Sequence, residues 1–169
     1  VRLMLLHHPE ALVTGISFRF GFASGVFYYG GGVLVDYNGG TVSNCTFTGN
    51  SCYDNQSGGA AVGMYGGLLT HSIITNNHSR IAANNGSGAN LLIWQNAVAR
   101  NCLIANNTAT ANADKTDFNV GGVGLYGSSV LENCTVAGNS SFGTGGVKTY
   151  EANAIVRNCQ IQDNASSGY

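Results

Sequence analysis

The side chains best placed to do chemistry in this 169-residue chain are aromatic rather than ionic. Five short runs share one pattern: Val33-Leu34-Val35-Asp36, Val62-Gly63-Met64-Tyr65, Leu91-Leu92-Ile93-Trp94, Val123-Gly124-Leu125-Tyr126 and Val147-Lys148-Thr149-Tyr150. In an extended strand alternate residues face opposite sides. The mostly apolar first and third positions should then face inward, and the second and fourth outward. The fourth column reads Asp36, Tyr65, Trp94, Tyr126 and Tyr150. Tyr65, Trp94, Tyr126 and Tyr150 on neighbouring strands would form an exposed stripe, a flat apolar platform with polar tips suited to sugar rings or a partner protein. Two plainer readings stand beside it. The rings could only stabilise strand against strand, or a register shifted by one residue would turn them into the core.

The ionic and nucleophilic residues offer less. General acid–base or glycosidic chemistry needs carboxylates gathered on neighbouring strands. Here Asp36, Asp54, Glu132, Glu151 and Asp163 fall in different columns, so no catalytic residue is assigned. Lys148, Glu151 and Arg157 are the nearest mixed group and read as a salt-bridged surface. Asp114-Lys115-Thr116-Asp117 could hold calcium, but without a glycine-bearing calcium loop it reads as a solvated insertion. His71 falls at a bend and reads as a turn residue rather than a general base, and His78 and Arg80 read as a variable surface loop. Of the five cysteines, Cys45, Cys102, Cys134 and Cys159 share a column and behave as small interior hydrophobes. Cys102–Cys134 or Cys134–Cys159 disulfides are open to neighbouring strands, although reduced thiols are the plainer reading. Cys52 reads as a loop thiol. No Cys-x-x-Cys or Cys/His cluster points to a metal, and no cofactor is implied. Asn-x-Ser/Thr triplets such as Asn55-Gln56-Ser57 and Asn139-Ser140-Ser141 carry little information in a chain this rich in Asn and Ser.

What must position these residues is an internal repeat. Asn44-Cys45, His71-Ser72, Asn101-Cys102, Asn133-Cys134 and Asn158-Cys159 recur at steps of 27, 30, 32 and 25 residues. Two residues beyond each Cys or Ser lies Phe47, Ile74, Ile104, Val136 or Ile161, and five residues beyond lies Asn50, Asn77, Asn107, Asn139 or Asn164. Three residues before it lies Val42, Leu69, Ala99, Leu131 or Val156, and a small-residue doublet such as Gly31-Gly32 or Gly121-Gly122 opens most units. A weaker copy, Val13, Ile16, Phe18 and Gly21, precedes them. No segment sustains a helical period. A unit this short cannot bury its apolar side alone, so copies must stack. The spacing predicts an all-β, right-handed parallel β-helix of about five to six coils with three short strands per coil. One domain over residues 1–169 follows, with coils at approximately 13–30, 31–57, 58–87, 88–120, 121–144 and 145–169. Length variation concentrates between each closing Asn and the next Gly pair, so insertions should map to one corner. Asn tolerates the left-handed backbone region, which places the Asn44 column at a sharp bend, and stacked Asn side chains can bond one another between coils.

Composition sets the outer limits. Charged residues are only 9 % of the chain, 25 residues are glycine and 20 asparagine. That excludes a helical bundle with Glu/Lys/Arg outer faces, and 44 % apolar content excludes disorder. A net charge of −1 without a basic cluster gives no footprint for nucleic acid, and no apolar run reaches the length of a membrane span. The first residues have no signal-peptide cleavage pattern, so the chain reads as a segment of a longer solenoid.

Gly-Gly-Val-Leu at 31–34 and Phe-Thr-Gly-Asn at 47–50 resemble the paired short motifs of chlamydial polymorphic outer-membrane proteins. More broadly, residues 13–164 resemble the pectate-lyase-like β-helix repeats of secreted bacterial surface proteins and autotransporter passengers, with His71 and Ser72 departing from the Asn-Cys column. The resemblance implies a secreted or cell-surface, bacterial location and often adhesion. On this reading the chain is a non-enzymatic adhesion, scaffold or glycan-contact segment, its partner a glycan or a host or neighbouring surface protein. The alternatives are a fragment of a polysaccharide lyase or glycoside hydrolase, and a structural protein self-associating end to end into fibres. The hydrolase motifs Asn-Thr-Asp, Asp-Asp and Gly-His-Gly do not occur.

Overall fold

The computed structural model describes residues 1–25, 29–53, 58–81, 88–111 and 119–167. Among these, twenty-four short strands form four parallel sheets of six strands each. Each strand pairs with its equivalents in the neighbouring coils, the first and last of each sheet on one side only, so the chain winds as a parallel β-solenoid. Sheet one contains Met4–Leu6, Val33–Val35, Val62–Met64, Leu91–Ile93, Val123–Leu125 and Val147–Thr149. Sheet two begins with Leu12–Thr14 and Thr41–Ser43 and ends with Ile155–Arg157, and sheet three runs from Ser17–Arg19 through Thr46–Thr48 to Gln160–Gln162. Sheet four contains Phe22–Ser24, Ser51–Tyr53, His78–Ile81, Thr108–Ala111, Ser140–Ser141 and Ala165–Ser166.

Each coil thus carries four strands, not the three that apolar alternation suggested. The extra strand follows the closing Asn. Its single inward residue is small, namely Ala23, Cys52, Ser79, Ala109 or Ser141, so no hydrophobic pattern marks it. Two local readings change with it. Cys52 is the buried centre of a strand rather than a loop thiol, and His78 and Arg80 lie in a strand rather than a loop. Asp54, Asn55 and the Asp114–Asp117 insertion lie outside the described residues.

The core is a set of columns along the solenoid axis. Val13, Val42, Leu69, Ala99 and Leu131 stack in sheet two, and Phe18, Phe47, Ile74, Ile104 and Val136 in sheet three. Phe18 and Phe47 stack at 5.0 Å between ring centroids. A small separate cluster, Ala23, Cys52 and Ala60, fills the space beside sheet four.

Two corners have identifiable causes. Between sheets two and three, Asn44, His71, Asn101, Asn133 and Asn158 all take the left-handed region, with φ between 48° and 55°. Asn and Gly adopt that region at least cost, and the first coil uses Gly15 there. Between sheets three and four, the left-handed residue is the one before the second Asn column: Gly49, Asn76, Asn106, Gly138 or Asp163. This leaves Asn50, Asn77, Asn107 and Asn139 free to turn inward, where they are at most 1 % exposed. Each donates Nδ2–H to the next coil's Oδ1 at 2.9–3.0 Å, and its backbone N–H to the same atom at 2.9–3.0 Å. Each Nδ2 also donates to a sheet-three carbonyl of the preceding coil.

A candidate contact surface along the aromatic column

The aromatic residues sit immediately after the strands of sheet one, where the backbone ladder still continues. Tyr65 N–H donates to the Val35 carbonyl at 2.8 Å, Trp94 to Met64 at 2.8 Å, Tyr126 to Ile93 at 2.9 Å and Tyr150 to Leu125 at 2.9 Å. The inter-strand spacing of about 4.8 Å is therefore imposed on the side chains, which have little choice but to stack. Tyr65–Trp94 centroids are 5.3 Å apart at 23°, Trp94–Tyr126 4.8 Å at 27°, and Tyr126–Tyr150 4.1 Å at 5°. The rings are half-buried and point away from the core, as the alternation requires, because Val33, Val35, Val62, Leu91, Ile93 and Val123 fill the inner face.

The stack consumes its own ring faces. What it turns outward is a ridge of ring edges, which carry partial positive charge, rather than a flat platform. Tyr37 extends it by packing on Tyr65 at 4.8 Å and 30°. At the other end the Lys148 ammonium lies 5.0 Å from the centroid of Tyr150. Tyr29 shows how a flat group meets the ridge: it lies nearly perpendicular to Tyr65 (5.3 Å, 87°) and Trp94 (6.2 Å, 88°). Because Tyr65 and Trp94 have given their faces to the stack, Tyr29 lays its face across their edges. The second strand positions of sheet one also point outward but are covered: Leu92 is 1 % exposed, and a Cβ at Gly63 would lie 2.9 Å from Cβ of Tyr29.

The phenols are held protonated. Burial, followed by donation of its own hydrogen bond to Tyr29, pushes the Tyr65 hydroxyl well above its ordinary value. Tyr150 is pushed up by burial and by the Tyr126 phenol, to which it donates. Asp36, which occupies the aromatic column one coil earlier, is bound through Oδ2 to His7 Nδ1 and accepts the Asn38 N–H on Oδ1 at 3.1 Å.

The other candidates are dispersed. Glu132 pairs with Arg157 (Nε–Oε2 2.8 Å), and Glu151 accepts the Gly127 N–H at 3.1 Å, so Glu151 and Arg157 hold separate partners. His71 bonds Thr70 Oγ1 at 2.9 Å from its bend. None of the five cysteines is in a disulfide. In the cysteine column each Sγ donates to the carbonyl two residues back, as in Cys45–Ser43 at 3.2 Å and Cys102–Arg100 at 3.1 Å. Ser72 Oγ makes the same bond to Thr70 at 2.8 Å and accepts the Cys45 N–H at 3.1 Å, which explains why serine replaces cysteine in that coil. The Cys102 thiol beside it, and then burial, raise the Cys134 thiol above its ordinary range.

A family model for the right-handed β-helix region matches residues 8–169. The chain belongs to the right-handed β-helix family. No curated protein and no solved structure matches it. The β-helix fold is compatible with surface, structural and enzymatic proteins alike, so the choice among these rests on the side chains.

Proposed function

We propose that this β-helix is a non-enzymatic, extracellular or cell-surface scaffold segment that contacts glycans along its aromatic ridge. The observation that carries the reading is the unbroken outward stack Tyr65–Trp94–Tyr126–Tyr150. Its backbone is fixed by the coil ladder, so binding would order little that is not already ordered. Ring edges attract electron-rich atoms, and a polysaccharide presents rows of hydroxyl and ring oxygens. Gln95 and Asn96, both exposed beside the ridge, add amide donors and acceptors. Weak contacts repeated coil by coil would add through multivalency. Asp36, Glu132 and Glu151 each hold a partner of their own, which favours this reading over acid–base catalysis. The test is a glycan array on the purified chain with Trp94→Ala and Trp94→Phe. Binding lost in the first and kept in the second supports the reading, and binding unaffected by Trp94→Ala overturns it.

One observation favours a second reading, a protein partner. Tyr29 already lies face-down on the edges of Tyr65 and Trp94, and a partner's aromatic side chain could meet the ridge in the same way.

A further inference from the structure

The outward face of sheet four is built differently from the ridge. His78–Ile81 lies between Ser51–Tyr53 and Thr108–Ala111, with His78 opposite Ser51 and Thr108, and Arg80 opposite Tyr53 and Thr110. Ser79 and Ala109 turn inward, so His78, Arg80, Thr108 and Thr110 share the outer side. The imidazole spans both threonines: Nδ1 is 2.8 Å from Thr108 Oγ1 and Nε2 is 3.3 Å from Thr110 Oγ1. The Arg80 guanidinium lies 4.8 Å from the centroid of the Tyr53 ring. Unlike Arg157, it makes no ion pair among the described residues. The ionisable groups facing His78 from its own and the two flanking strands are Arg80 and the Tyr53 phenol, and no carboxylate lies on those three strands.

We propose that Arg80, Thr110, His78 and Thr108 form a binding site for a tetrahedral oxyanion, a sulfate or phosphate group. The guanidinium offers a bidentate fork, held in place by the ring of Tyr53. The threonine hydroxyls come from the neighbouring strand, opposite His78 and Arg80, and add donors from a second element. The histidine couples the site to protons. A neutral imidazole donates from one nitrogen and accepts at the other, so one threonine proton is spent on the ring. When the ring takes a proton from solvent, both nitrogens donate to the threonine oxygens, and both hydroxyl protons are released toward the anion. Anion binding and protonation of His78 therefore reinforce each other by linkage. In the free protein, burial and then Arg80 hold His78 below its ordinary value, so the neutral ring predominates at pH 7.

The experiment follows the histidine ring protons of the whole chain by NMR during pH titrations, in sodium sulfate and in sodium chloride at matched ionic strength. Sulfate should raise the His78 midpoint by about one pH unit and leave His71, at a different corner, where chloride leaves it. Arg80→Gln should abolish the rise. A sulfate effect that is equal at His71 and His78, or one that survives Arg80→Gln, overturns the site. Inorganic phosphate and a sulfated oligosaccharide with its desulfated counterpart form the further arms. A rise with the free ions alone assigns the site to small anions, and a larger rise with the sulfated sugar at equal sulfate concentration assigns it to a polymer-borne group.

Discussion

Asn101 and Asn107 carry the same side chain on the same coil and are held there for different reasons. Asn101 is exposed and needed for its backbone: its φ of 55° turns the chain from sheet two to sheet three. Asn107 is fully buried and needed for its amide, which accepts two hydrogen bonds from Asn77 and donates to Asn139 and to the Ile74 carbonyl. At the second corner the backbone task has passed to the preceding residue, Asn106, with a φ of 55°. One residue type thus solves two problems, and only the second requires the amide group itself. Glycine can replace the first kind, as Gly15 does, whereas at Gly21 the ladder has no side chain to continue with.

The largest effect that would break this comparison is at the ladder. Asn107→Ala leaves the Asn77 backbone N–H without its acceptor in the interior and removes the amide's bonds to Asn139 and Ile74, and should cost about 3–5 kcal/mol or prevent folding, read by urea denaturation. A loss under 1 kcal/mol would show that the ladder is ornamental. Next comes the outer stack. Trp94→Ala removes three ring contacts, with Tyr65, Tyr126 and Tyr29, and part-buried area, and should cost about 2 kcal/mol, with Trp94→Phe recovering most of it; equal stability of the two variants would detach stability from the stack. At the exposed corner, Asn101→Ala should cost about 1 kcal/mol through left-handed strain, while Asn101→Gly should be close to neutral. If Gly were worse than Ala there, the corner would depend on the Asn side chain after all. The shallowest effect is alkaline. Cys134, Tyr65 and Tyr150 are raised in the folded state from ordinary values of 9.0 and 10.0, so the unfolded chain loses these protons first. Their contribution is complete below pH 9 and should decline as pH rises through 9 and then 10, and thermal melts from pH 7 to 11 would show it. Cys134→Ser should flatten the first part of the decline.

What the sequence disclosed tracks what repeats. The Asn and Cys columns, the inward positions of sheet one and the coil period are visible because each coil restates them. Sheet four escaped because Cys52, Ser79, Ala109 and Ser141 face inward without an apolar signature. The aromatic positions are legible, but a flat platform does not follow from them: rings fixed about 4.8 Å apart along an axis stack face to face and turn their edges outward. Tyr29 and Tyr37 stand outside the register and appear once each, so only three-dimensional proximity attaches them to the ridge. The His78–Thr108–Thr110 contacts join residues that a variable segment separates, which disguised a strand as a loop.

The ladder has a direction. From Asn50 to Asn139 every amide donates from its nitrogen to the following coil's amide oxygen. Four buried side-chain dipoles aligned in one column add rather than cancel, as peptide units do along an α-helix. The interior of this all-β rod therefore carries a macrodipole of its own, positive at the Asn164 end, and reversing a single amide in the row would set two like poles against each other where no water can screen them.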